Sequence, residues 1–280
     1  MKNKKKEIIF IVVIVAAALA ALLVWWRLVK VPHDQAVKEY EETVQIVQKN
    51  NKTLDDAISE VKKILKSGDK PLDEKLLDSA KNAVKKAEDA EEKVPEEMPD
   101  KTDEIRKATS RMKTDVSYDS EIKELTDLAS KCTTSIQQRK QVTNPDESFV
   151  IERLGKVSAI VGSQAVTEDN DPNGNLNKSG GYTADVYFQA SNVDQSEVYT
   201  SGDGSIIDKG TEGGGCVEVY ANEEDAKKRN DYLAGFDGGI LANGSHTVVG
   251  TCVVRTSDLL TASQQKELEQ AVINALTAVE

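Results

Sequence analysis

Three patterns of apolar and polar positions follow one another along this chain. The first is an unbroken apolar run from Ile8 to Trp26, 19 residues without a charge. At ~1.5 Å per residue such a run spans roughly 28 Å as a helix, about one bilayer hydrocarbon core. Residues 8–26 are therefore expected to contact the lipid bilayer. Lys2, Lys4, Lys5 and Lys6 precede the run against a single Glu7, and Arg27 and Lys30 follow it. The lysine excess predicts a cytoplasmic N-terminus, with residues 31–280 outside the cell. Trp25 and Trp26 close the run, where indoles favour the interface. Ala18-Leu19-Ala20 has the small residues of a cleavage site, but the apolar residues continue to Trp26, so residues 1–30 read as a retained signal anchor.

The second pattern is a helical seam. Val37, Tyr40, Val44, Val47, Asn51, Leu54, Ile58, Val61 and Leu65 recur at alternating spacings of three and four, with Asn51 the one polar member. Gly68, Asp69 and Pro71 end that helix. A second seam runs through Leu77, Ala80, Val84, Ala87 and Val94, with Glu91 in one slot, and closes at Pro95 and Pro99. A third shows Ile105, Ala108 and Met112, then Ile122, Leu125, Ala129, Cys132 and Ile136; its register slips near Val116–Asp119, which predicts a kink or stammer. Short proline-marked connections favour antiparallel neighbours. Residues 31–143 therefore read as an all-α stalk, a three-helix coiled coil or bundle. Self-association through the stalk is the competing arrangement, with Asn51 then setting the register.

At Asn144-Pro145-Asp146 the pattern changes again, and glycine and β-branched residues rise. Phe149–Val157 reads as a short helix, Tyr182–Ala190 and Cys216–Ala221 as strands and Glu223–Phe236 as an amphipathic helix. His246–Arg255 reads as a third strand and Ser263–Val279 as a final helix with Leu268, Val272 and Leu276 inward. The order predicts an α+β domain over 144–280, with helices on one face of a three- or four-stranded sheet; a ferredoxin-like arrangement is one such topology.

Charge sharpens this division. Residues 1–30 carry a net +5, 31–145 a net −4 and 146–280 a net −13. A domain this acidic is repelled by phosphate backbones, which argues against nucleic-acid partners.

Candidate chemistry is sparse. Asp169, Asp171, Asn173 and Asn175 offer oxygens at the alternating positions of a calcium loop, with Gly174 at the sharp turn. Position 12 of such a loop falls on Gly180 rather than a bidentate Glu, and Glu168 or Asp185 would have to substitute. The competing reading is a polar turn in which Asx side chains cap backbone groups. Cys216 and Cys252 fall on separate predicted strands, 36 residues apart, and are the candidate disulfide; such a bridge contributes about 3–4 kcal/mol. Two buried free thiols are the equal alternative, and Cys132 sits on the stalk seam. His246 and Cys252, six residues apart on one predicted strand, lie roughly 20 Å from each other. With no nucleophile elbow, metalloprotease motif or phosphate-binding loop, the expectation is a non-enzymatic protein without a resident cofactor.

Five segments form one ordered set. They are Asn144-Pro-Asp-Glu-Ser-Phe-Val, Thr167-Glu-Asp-Asn-Asp-Pro-Asn-Gly, Gly180-Gly-Tyr-Thr-Ala, Gly214-Gly-Cys-Val-Glu-Val-Tyr and Asp225-Ala-Lys-Lys-Arg-Asn-Asp-Tyr-Leu. The set resembles an uncharacterised C-terminal domain of membrane-anchored and lipoprotein cell-envelope proteins of Gram-positive bacteria, mainly actinobacteria, some loosely labelled extracellular-matrix-binding homologues. The resemblance covers residues 144–280. It implies an envelope setting and carries over no activity and no functional residues. The functional expectation is a binding domain on a helical stalk, facing an envelope protein, a wall component or a small ligand. A structural spacer or assembly protein and a calcium-dependent adhesive module are the alternatives.

Overall fold

The computed structural model describes residues 2–202, 204–239 and 244–279. The side chains of residues 2–4 are outside that set, so the charges expected from Lys2 and Lys4 lie outside the described residues. Helix α1, Lys2–Trp25, runs through a five-residue π-helical turn, Trp26–Lys30, into α2, Val31–Lys66. The wider turn ends two residues before Pro32, whose ring presses on the carbonyl four residues back and lacks the N–H to bond it. The result is one helix from Lys5 to Lys66, 62 residues long. Its apolar window has mean hydropathy 3.2 and is 0% buried. By length and composition this helix fits a transmembrane or signal anchor.

Two compact units follow from the contacts. One comprises residues up to Gly68 with Leu77–Ser130; the other comprises Asp69–Leu76 with Lys131 onward. In the first unit α2 is joined by α3, Lys75–Ala90, by α4, Thr102–Arg111, and by the first half of α5, Asp119–Gln141. The α2 seam is buried at Tyr40, Val47, Leu54, Ile58 and Val61. Ile105 and Met112 pack against Ala36, Tyr40 and Val47. The predicted third helix is two helices. The backbone turns extended at Met112, with ψ 129°, and helix resumes at Asp119, so the expected kink is a full break. Tyr118, in the break, turns inward and is 5% exposed. Its hydroxyl donates to Asn51 Oδ1 at 2.9 Å and accepts from the Glu92 N–H at 2.8 Å. Asn51 Nδ2 in turn donates to the Glu92 carbonyl at 2.7 Å and to Glu91 Oε1 at 3.1 Å. The polar member of the seam is thus satisfied within its own chain.

In the second unit the elements are α6, Glu147–Leu154; β1, Ile160–Ala165; β2, Tyr182–Ala190; β3, Gly214–Tyr220; α7, Glu223–Ala234; β4, His246–Val249; β5, Cys252–Thr256; and α8, Ala262–Thr277. The strands form a five-stranded sheet in the order β1-β2-β3-β5-β4, every adjacent pair antiparallel. Three expectations need correction. The sheet has β1 as an extra edge strand, whose Val161 is 61% exposed and whose apolar alternation is weak. The third predicted strand is a hairpin. Gly250, at φ +59°, turns β4 back onto β5, and a Cβ there would sit 2.4 Å from the Val142 carbonyl oxygen. Helices cover both faces of the sheet, not one. On one face Val186, Phe188, Val217, Val219 and Val254 pack with α6 and α8 through Val150, Leu154, Leu268, Val272 and Leu276. On the other, Tyr182, Tyr220 and Val253 pack with α7 through Ala226 and Leu233.

The topology also departs from a ferredoxin-like one. β3 and β4 run parallel with β5 between them and are joined by α7, a single split βαβ unit. β1 and β2 merely meander onto its edge. Local signals fix the helix starts. Asp146 accepts from the Phe149 N–H, Asn222 from Asp225 N–H, and Thr261 forms a capping box with Gln264.

Candidate functional site

Strand alternation sorts the side chains of β2, β3 and β5 onto two faces. Asp185 and Tyr187 on β2 pair in register with Glu218 and Cys216 on β3, and Cys216 pairs with Arg255 on β5. These residues share the face that α7 covers at one end and that Val166, Leu176 and Ile207 cover over Tyr187 and Cys216, and Asp185, Cys216, Glu218 and Arg255 are all buried. Charge on a strand covered from both sides must be paired or neutralised.

Glu218 is paired. Arg229 of α7 donates Nε to Oε2 and Nη2 to Oε1, both at 2.8 Å. Arg255 Nη1 donates to Oε1 at 2.9 Å, and the Tyr220 hydroxyl to Oε2 at 2.8 Å. Burial opposes ionisation of Glu218. The bonds from Arg229 and the charges of Arg255 and Arg229 outweigh it, so its carboxyl titrates below the ordinary range.

Asp185 is not paired. It is 1% exposed, and neither carboxyl oxygen has a hydrogen-bond partner among the described residues. Burial first, and then the charge of Glu218, push it well above the ordinary carboxylate range, against the smaller pull of Arg255 and the Cys216 thiol. Burial and then Asp185 also raise the Cys216 thiol.

One ligand-type atom from each of Asp185, Cys216 and Glu218 lies within 4.8 Å of the others. The donor set does not suit a cation. Both Glu218 oxygens are already taken by cationic or hydroxyl donors, and two guanidinium groups supply the positive charge a metal would bring.

His246 on β4 lies in register with Arg255, on this same face. Its Nδ1 meets Asn230 Oδ1 at 2.8 Å and its Nε2 meets Asp237 Oδ1 at 3.2 Å, tying the strand to α7 and the turn after it. Cys252 lies on the opposite face, with the α6 and α8 core. The hairpin therefore separates His246 from Cys252, not the length of a single strand.

The cysteines are all free. Cys216 and Cys252 do fall on neighbouring strands, β3 and β5. The register, however, pairs Cys216 with Arg255 and Val219 with Cys252, which puts the two thiols on opposite faces of the sheet. The candidate bridge is absent for that reason. Burial pushes the Cys252 thiol up to about 12.

The calcium-type loop is a turn built around Asp171. Its Oδ1 accepts from the Asn173 N–H at 2.9 Å and from the Tyr182 hydroxyl, and its Oδ2 accepts from Leu176 N–H at 2.8 Å. Desolvation raises its pKa, but these bonds, Tyr182 foremost, hold it below the ordinary value. Asp169 and Asn175 are exposed, and the Asn173 amide points to the Tyr187 hydroxyl at 3.5 Å. The oxygens that spacing suggested for one cation are thus divided among turn, strand and solvent.

Glu218, Arg229 and Arg255 were missed as a group by sequence reasoning, and Asp185 entered only as a substitute ligand. A signal existed: Cys216-Val-Glu-Val-Tyr places a carboxylate in the middle of an otherwise apolar strand. Open grooves lie elsewhere. One of about 460 Å³ is lined by residues including Asn144, Asp146, Glu147 and Thr183, where the Thr183 hydroxyl donates to Asn144 Oδ1 at 2.7 Å. No protein-family model, no curated protein and no solved structure matches this chain.

Proposed function

We propose that this chain is a single-pass, membrane-anchored protein that presents a non-catalytic binding domain at the surface of a Gram-positive cell. The observation that carries the proposal is the uninterrupted helix Lys5–Lys66. Its apolar part buries nothing in the protein, and it passes directly into the packed seam of α2. An unburied apolar segment of this length is stable only in lipid. The lysines before it favour an external C-terminal side.

The strongly acidic composition of 146–280 suits an envelope partner presenting basic or neutral polar groups. The non-catalytic reading rests on the chemically capable groups, Asp185, Cys216 and Glu218. Each is at most 1% exposed and so has no surface on which to meet a substrate.

Fractionation and proteolysis of intact cells test anchoring and orientation together. The chain should stay with the membrane after an alkaline wash, and added protease should digest residues 31–280 from outside. Release by the wash, or protection of 31–280 in intact cells, would overturn the proposal.

A further inference from the structure

We propose that the folded domain carries Asp185 as a neutral carboxylic acid, and that loss of its proton is a pH-sensitive switch that loosens the α7-covered face of the sheet. Geometry supplies the argument. Asp185 and Glu218 are directly opposite each other on β2 and β3, and their oxygens approach within 4.8 Å. Glu218 receives four donors from three side chains, so it is the member of the pair that holds the charge. Asp185 receives no N–H or O–H donor among the described residues, and only the weakly donating Cys216 thiol bears on it. A second buried negative charge at that distance is strongly disfavoured.

The other groups facing the pair do not rescue it. On β3 they are Cys216 and Tyr220, on β2 Tyr182 and Tyr187, on β5 Arg255, on α7 Arg229, and in the 167–176 turn Asp171. Both arginines aim their bonded nitrogens at Glu218, and Arg255 Nε is left without a partner among the described residues. Cys216 and Asp171 add no positive charge.

The sign follows from linkage. The folded-state pKa of Asp185 lies above its unfolded value. Its stabilising contribution is therefore complete below the unfolded pKa and is lost as pH rises toward the folded one. Across that window one proton leaves on opening, so the opening constant rises about tenfold per pH unit.

Cys216 on the switching face and Cys252 on the opposite face make an internal comparison. The full chain in detergent micelles is alkylated with iodoacetamide from about pH 5 to about pH 8, and the two sites are quantified by peptide mass spectrometry. The Cys216 rate in the native protein, divided by the Cys216 rate in Asp185→Asn, should rise with pH by up to about tenfold per unit, the variant keeping the shape and cancelling the thiolate's own titration. Cys252 should be the slower site in both proteins. A quotient that stays flat with pH, or Cys252 labelled as fast as Cys216, overturns the proposal. Should Asp185→Asn fail to fold, infrared titration of the native protein decides. A protonated-carboxyl C=O stretch at neutral pH supports the proposal, and carboxylate bands alone overturn it.

Discussion

Glu218 and Asp185 show how position decides what the same functional group does. Both are carboxyls buried on adjacent strands, yet one is bonded by Arg229, Arg255 and Tyr220 and the other, among the described residues, by no N–H or O–H donor. Removing the charge of Glu218 leaves two guanidinium groups buried without a partner. Glu218→Gln should therefore cost about 3–5 kcal/mol, read as a lowered midpoint in urea; a loss under about 1 kcal/mol would show that the arginines find other acceptors. Asp171 is a carboxylate of the turn type, its oxygens committed to Tyr182, Asn173 and Leu176. Calcium or EDTA should consequently leave the melting temperature unchanged, and a rise with calcium would restore the cation reading.

At the scale of elements, two features hold segments in place that sequence pattern alone leaves loose. Tyr118 occupies the break between α4 and α5 and closes a network with Asn51 and Glu92. Tyr118→Phe would leave the Asn51 carbonyl and the Glu92 N–H short of a partner, a cost of about 1–3 kcal/mol on the helical unit. Helical signal lost at the native temperature is the measurement, and an unchanged melt would mean that water replaces the hydroxyl. Gly250 makes the β4–β5 turn against the end of α5, where Thr251 N–H donates to the Val142 carbonyl at 2.8 Å. Gly250→Ala brings both a positive-φ penalty and a clash with that carbonyl, and should cost more than about 1 kcal/mol. Equal denaturation midpoints for the two proteins would show that the turn yields without cost.

For the whole molecule, the apolar helix is marked by the exposure of its side chains. Ile8 to Val29 has no buried hydrophobic side chain; Leu28 is 69% and Val29 50% exposed. A chain beginning at residue 31 should therefore remain in solution without detergent and melt at the same temperature as the full chain in micelles. A lower melting temperature would mean that the apolar segment supports the fold directly. The net charge of −13 on 146–280 favours a dispersed species at low salt.

Periodicity and composition alone determined the apolar span, the α2 seam from Tyr40 to Val61, the helices α3, α6, α7 and α8 and the strands β2 and β3. Each has a repeat long enough, or a cap clear enough, to be read locally. The break at Met112–Tyr118 showed only as a slip of register. The β4–β5 hairpin was hidden because Val248, Val249, Val253 and Val254 read as one continuous strand across Gly250 and Thr251. β1 was hidden because half of it is glycine, serine and glutamine. The charged cluster was beyond local reading altogether. Asp185, Glu218, Arg229 and Arg255 come from four separate elements, and only strand register and the crossing of α7 bring them together. The same register, set by long-range pairing, placed Cys216 and Cys252 on opposite faces. Spacing in the chain reports which side of a strand a residue takes, and tertiary packing decides what it meets there.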